Sequence, residues 1–512
     1  MRVTHRIVFV LSGALTAGCG SDSGGADEGA AEGSSEASSG ADDDAGPGDD
    51  DGPDDGTAPQ GDDTDDGIDS NDDGTSEDGT EGETDDPPDP SAACEDFELP
   101  PRNGAEIIVA PAGDGQVTVD GQMTTLRSVV SGLSSGDTVL LQDGTYTFDD
   151  SPDGSYSGLY FTTPDVTLRS MSGEASAVIL DSAYVSHGGS TAPITIDAAG
   201  VVVADITVQR SIFHLIHLWA SGDDAIIHNV NLIDGGQQFV KASPGNSAIV
   251  DNVEVSCTSF TMTDAGRDNV WGYGSQDGAT TCYTGGIDTH DATNWYVHDS
   301  YFAGIYCDAS GVQRPAHGRF PEQRDGMTYN GGLAEHCVHM WDSESGSGHV
   351  ISRNRFFDCA RGIGLGFNDQ VYGSQILNNM VYSQHAGSGE HDVGISIEEG
   401  VDTWVAHNTV FFSHPDAYAN RIEYRFNTTT NLTMHGNLTN GEIRARDGAV
   451  AADVDNVLVA EATWFVDADA GDLHLVNCDT PGSVGVVGEV PNDFDGDART
   501  GSTTPGADHC SR

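Results

Sequence analysis

The residues best suited to chemistry sit in short phrases whose apolar members alternate. GIDTH (286 to 290) offers Asp288 and His290, and VHMWD (338 to 342) offers His339 and Trp341. GISIE (394 to 398) offers Ser396 and Glu398, IEYRF (422 to 426) offers Glu423 and Arg425, and IRAR (443 to 446) offers Arg444 and Arg446. GIGLG (362 to 366) offers only Gly364 and Gly366, an unobstructed floor, while HLIH supplies His217 and QFVK supplies Lys241, the chain's only lysine. In strands with a two-residue period these members face one way, and Ile287, Thr289 and their counterparts face the core. Outward placement of Lys241 carries Phe239 outward as well. An indole can bear a sugar ring, and guanidinium groups can hold uronate carboxylates in bidentate fashion. Ten of the 18 basic residues after Cys94 lie between Arg314 and Arg446. The row therefore reads as a carbohydrate groove.

Two reactions suit such a groove. β-Elimination on a uronate needs the carboxylate neutralised, a base for the C5 proton and an acid for the leaving oxygen. Hydrolysis needs two carboxyl groups, for which Asp288, Glu398 and Glu423 are candidates. No nucleophile elbow and no nucleotide-binding loop is present. A glycan-binding or structural protein without catalysis stays open beside both. In NDFDGDAR (492 to 499), Asp493, Asp495 and Asp497 alternate as in a calcium loop. Ala498 and the missing distal Glu depart from that pattern, so a carboxy-terminal cap is the better reading and Ca2+ the only cofactor suggested.

These residues need a scaffold that stacks them. From Val201 onward an apolar alternation, an Asn or Asp and a second alternation recur, with the polar position at Asp205, Asn229, Asn252, Asp299, Asn354, Asn379, Asn408 and Asn437. Most intervals are in the twenties, without long amphipathic helices or a leucine lattice, which calls for a β-solenoid. Asn accepts left-handed backbone and its amides stack, suiting a recurrent sharp turn. The expected fold is all-β, a right-handed single-stranded parallel β-helix over 94 to 512. A short capping helix is expected at Thr124 to Leu133, before SGDTVLLQDGTYTF (135 to 148). From about Glu106 onward the sequence resembles pectin-lyase-like β-helix proteins, whose first coil carries such a helix and such a GDTV and GTY phrase.

A narrower resemblance concerns chemistry. QFVKASPGNSAIVDNVEV (238 to 255) and IDTHDATNWYVHDSYF (287 to 302) are similar to the lysine-bearing and histidine-bearing coils of alginate and chondroitin-B lyases. The resemblance implies Lys241 as base and His290 as an active-site residue. In those lyases an arginine precedes the histidine. Thr289 stands there in this chain, so Arg361 or Arg425 would have to fill the role. The GDD at 222 to 224 resembles a fragment of polygalacturonase motifs, whose other signatures are missing.

Charge and the amino terminus bound the setting. The 512 residues carry a formal charge of −63, and residues 21 to 93 hold 27 Asp or Glu with no Lys or Arg. From Cys94 onward the balance is 56 acidic against 18 basic residues, a net of −38. This excludes nucleic acid as a partner and disfavours adsorption to anionic lipid. Arg2, Arg6, the apolar run Ile7 to Ala14 and Thr16-Ala17-Gly18-Cys19 resemble a bacterial lipoprotein signal. That implies cleavage after residue 18, lipidation of Cys19 and an outer-membrane location. Residues 19 to 93 are too poor in apolar side chains to fold and read as a disordered tether. The remaining eight cysteines suggest up to four disulfides, with Cys257 to Cys282 and Cys478 to Cys510 as examples of pairings that proximity in sequence offers, and no CxxC pair that would hold zinc. The expected partner is a polysaccharide, and the expected state a monomer.

Overall fold

The computed structural model describes Cys94 and residues 97 to 510, except 149–157, 185–191, 245–248, 270–272, 275–278, 282–283, 308–327, 330–332, 342–346, 368 and 388–390. The chain divides into Met1–Gly82 and Glu83–Arg512, and every described residue lies in the second unit. The signal, the tether and Cys19 lie outside the described residues. Among the described residues no helix is long and apolar enough to cross a membrane.

The protein is a parallel β-helix. One coil runs through Val350–Ser352, Arg355–Phe357 and Arg361–Leu365, the next through Gln375–Leu377, Met380–Ser383 and Ile395–Ile397. Each strand pairs in parallel with its counterpart one coil on. The third strand of every coil joins a ten-stranded sheet from Leu159–Phe161 to Glu442–Ala445. Its inward column is Val240, Ile287, Val338, Ile363, Ile395 and Ile422, all fully buried. On the facing wall Phe260, Phe302 and Phe356 stack at centroid distances of 4.3 and 4.8 Å. Each such side chain contributes about 1.5–3 kcal/mol by leaving water. The helix forms as Leu126–Ser131, shorter than the expected span. Thr125 caps it by accepting from the Ser128 amide, and Leu126 and Val130 enter the core.

The recurrent Asn or Asp positions resolve into three rows. Asn354, Asn379, Asn408 and Asn437 form one buried ladder, continued by Asn456, in which each side-chain amide donates to the next Oδ1 at 2.9–3.0 Å. The same Oδ1 atoms accept backbone amides, which turns the chain between two strands. Asp205, Asn229 and Asp299 belong one residue earlier, where φ is 50–55°. Asn252 belongs to a different corner, donating to Asp224 Oδ1 at 3.1 Å. Left-handed backbone and amide stacking thus occupy neighbouring positions, which the single spacing pattern merged.

Cys94 is bonded to Cys257, Cys337 to Cys359 and Cys478 to Cys510. The last pair matches the sequence expectation; the first replaces Cys257 to Cys282, because the amino-terminal segment returns beside Cys257.

The carboxy-terminal segment lies along the side of the solenoid. It covers the outward residues Met380, Tyr382, Phe411 and Leu438 with Phe465, Leu473, Leu475 and Ala507. In its acidic loop Asp493 Oδ1 accepts from the amides of Asp495 and Asp497, and Oδ2 from that of His509. Asp493 and Asp495 cluster with Asp508, whereas Asp497 is not in that group. His474 sits between Asp472 and Asp495. Burial would lower its pKa, but hydrogen bonds to these two carboxylates raise it to about 9.

Two outcomes follow. Asn408→Ala removes a fully buried link and orphans its partners, so urea unfolding should show a loss of about 3 kcal/mol, against less for the half-buried Asn456→Ala. For His474, a raised folded-state pKa means stability present in full below the unfolded value near 6.5 and lost as pH rises through about 9. Unfolding free energies from urea titrations between pH 6 and 10 should fall by an amount on the order of 2 kcal/mol in that window, and His474→Ala should flatten the fall.

Candidate functional site

The ten-stranded sheet fixes which side chains share a row. Pairing runs Thr195, His217, Lys241, Asp288, His339, Gly364, Ser396, Glu423, Arg444, one residue per coil. Two residues on, backbone bonds from His290 to Ala242, Trp341 to Thr289, Gly366 to Met340, Glu398 to Leu365, Arg425 to Ile397 and Arg446 to Tyr424 carry a second row. Lys241, Asp288, His339, Ser396, Glu423 and Arg444 thus stand on one outward row and His290, Trp341, Glu398, Arg425 and Arg446 on the next. They do not form an open groove throughout, since Lys241, Asp288, His339, Ser396 and Glu423 are all buried.

The alternation breaks at the start of each strand. Phe239 is fully buried near Phe260, contrary to its expected outward placement. At the equivalent positions, a Cβ on Gly286, Gly362 or Gly394 would press on Phe302, Val381 or Val410. Two successive residues therefore face inward, and the glycines of the GI phrases make room for the opposite wall. One residue earlier a third row appears, containing Gln238, Gly285, His336 and Arg361.

At the centre of the first row Lys241 Nζ donates to Asp288 Oδ2 and lies 3.0 Å from His290 Nε2. An ammonium only donates, so His290 Nε2 accepts and its proton is on Nδ1. Burial opposes ionisation of Asp288, but the charge of Lys241 holds its pKa well below the usual carboxylate range. Trp341 Nε1 donates to His339 Nδ1, which assigns the His339 proton to Nε2, donating to the Gly366 carbonyl at 3.1 Å. His217 and His214, buried beside this centre, are kept neutral chiefly by desolvation and then by neighbouring imidazole and ammonium charge; His214 falls to about 4. Of the cluster, His290 is the member solvent reaches, with its side chain 39% exposed.

Other candidates lie away from this centre. Arg425 is four rungs along from His290, about 19 Å at strand spacing. It binds Asp447 at 2.8 Å and Glu398 at 3.7 Å. Arg361 stands three coils from Lys241 and faces Asp392 at 3.9 Å. Neither arginine takes the place left by Thr289. Arg446 pairs with buried Glu423 at 3.0 Å, and Arg444 lies 4.0 Å from Glu442. Arg353 and Arg355 belong to the other wall, bound to Asp299 and close to Asp472. The described part of the arginine concentration is therefore largely matched by carboxylates. The lowered pKa of Asp288 is the reverse of what a hydrolytic acid requires, and Glu398 and Glu423 are each taken up by an arginine, Arg425 and Arg446. Trp341 stacks on His290 at 4.6 Å, so one face of its ring is already covered. The Gly364 floor is filled by the His336 ring, whose Nε2 would meet a Cβ there at 2.7 Å.

Sequence reading missed Trp219, which extends the second row, bonds through its amide to Ile196, is 37% exposed and lies 4.4 Å from the His217 ring. It was legible two residues past His217, at the spacing that separates Asp288 from His290. Glu335 and His336 were missed because the alternation places His336 inward with Val338.

Lys241→Met should cost about 3–5 kcal/mol in denaturant unfolding, since it strands a buried carboxylate, and Asp288→Leu should cost a similar amount. The combined variant should lose clearly less than the sum, the signature of a coupled pair.

No protein-family model matches the chain, and no curated protein does. Among solved structures, pectate lyase Pel9A is similar over 80% of this chain and 90% of its own, at 12% identity and a TM-score of 0.38. A PL6 alginate lyase in complex with a trisaccharide covers 65% and 74%, at 11% identity and a TM-score of 0.34. The A-module of the mannuronan C-5 epimerase AlgE6 of Azotobacter vinelandii covers 65% and 93%, at 10% identity and a TM-score of 0.31. The parallel β-helix fold of this chain rests on its own strand pairing.

Proposed function

We propose that this β-helix acts on an acidic polysaccharide by β-elimination at the Lys241, Asp288 and His290 centre. The observation that carries the reading is the 3.0 Å contact between Lys241 Nζ and His290 Nε2, set above a buried carboxylate. Passing one proton from Lys241 to His290 leaves an amine and an imidazolium beside Asp288, with no change in net charge. The amine takes the C5 proton, the C4–O bond breaks as the 4,5 double bond forms, and the imidazolium protonates the leaving oxygen. The centre returns to its starting protonation state. Trp219, exposed along the same row, is suited to carry a neighbouring sugar ring. The lipoprotein-like amino terminus would hold this module on the outer membrane.

The missing arginine before His290, where Thr289 stands, favours one rival, a glycan-binding solenoid without catalysis. The test is incubation of the full chain with alginate, pectate and glycosaminoglycans while following the ultraviolet absorbance of unsaturated uronate. Product should form with one of them. His290→Ala should lower kcat by about 10²–10⁴-fold, and Trp219→Ala should chiefly raise KM. A flat trace with retained glycan binding would replace elimination by the rival.

A further inference from the structure

The groove between the first and third outward rows holds a second constellation, which the elimination chemistry does not use. Ligand atoms of Glu335, His336 and His339 all lie within 4.8 Å of one another. Glu335 Oε2 is 3.8 Å from His339 Nδ1, and the two imidazole centroids are 4.6 Å apart. His336 is 3% exposed, yet neither of its ring nitrogens has a hydrogen-bond partner. The amide of Gln238, 1% exposed, is equally without one. Buried polar atoms left in this state cost free energy unless something binds them.

The backbone is shaped around these groups. A Cβ on Gly285 would stand 2.8 Å from Glu335 Cβ and 3.6 Å from Gln238 Cγ, and a Cβ on Gly364 would strike the His336 ring. Two glycines, on the strands either side of His336–Met340, thus leave the space that Glu335 and His336 fill. Nothing apolar in the sheet requires a paired imidazole and carboxylate there.

We infer that Glu335, His336 and His339 form a binding site for a single divalent transition-metal ion of the zinc class. Two imidazoles and one carboxylate are a three-ligand set that leaves a coordination position open. Imidazole selects against Ca2+ and Mg2+, which take oxygen ligands. A modest contraction of the three groups brings them to bonding distance. His339 contributes either Nδ1, exchanging the Trp341 N–H for the metal, or Nε2, exchanging the Gly366 carbonyl. The site adjoins the elimination centre, since His339 Nδ1 lies 3.5 Å from Asp288 Oδ1, but its ligands include neither Lys241 nor His290, so metal binding is tested without reference to elimination.

The test uses the full chain after treatment with a chelator. Titration calorimetry with Zn2+ should give one equivalent bound, and Co2+ should give visible d–d absorption typical of nitrogen ligands. Glu335→Gln should weaken binding by more than about tenfold and His336→Gln should abolish the Co2+ spectrum, while excess Ca2+ displaces neither metal. Circular dichroism checks that each variant is folded. Should His336→Gln fail to fold, Glu335→Gln, whose side chain is 26% exposed, decides alone. Absence of binding by the wild-type chain, undiminished binding in the folded variants, or displacement by Ca2+ would each overturn the assignment.

Discussion

A slip of one residue in the ten-stranded sheet would turn Ile287, Val338, Ile363 and Ile422 to solvent and drive Asp288, His339 and Glu423 into the core. Register is therefore the constraint on which the rest depends, and the apolar column enforces it. The ladder Asn354, Asn379, Asn408, Asn437 and Asn456 enforces it again at the opposite corner, because each amide can bond only the same position of the next coil. With both in place, side chains some fifty residues apart, such as Lys241 and Asp288, become neighbours.

Outward direction and exposure proved to be different properties. On the first outward row charge is stored under cover: Asp288 lies beneath Lys241, and Glu423 is held by Arg446 and Asn420. A carboxylate so placed is stabilised as an anion only while its cation remains. The centre therefore behaves as one electrostatic unit, with His290 as its accessible edge. Farther along, Arg361, Arg425, Arg444 and Arg446 each face an acid and do not form a free cationic strip.

Much of this was legible in the sequence. Strand periodicity and the recurrent Asn pointed to the parallel β-helix, and the alternating phrases assigned Lys241, Asp288, His290, His339 and Trp341 to one outward face, which the structure divides into two rows. Three features were hidden. Asp205 and Asn354 look alike in a spacing pattern, yet one supplies left-handed backbone and the other an amide link. The paired inward residues at each strand start, visible only as GI phrases, reversed the direction of Phe239 and His336. Burial of the outward polar residues depends on neighbouring rows, for which a single strand carries no signal. Cysteine spacing also carries no signal for the histidine pair, His336 and His339, that this reversal brings together.

Lys241 is the only lysine in the chain, so labelling lysine with nitrogen-15 at Nζ gives a single side-chain resonance. The account predicts a slowly exchanging ammonium signal that moves in His290→Ala and in Asp288→Asn, and again when an acidic oligosaccharide is added. A rapidly exchanging signal indifferent to both substitutions and to the sugar would contradict it.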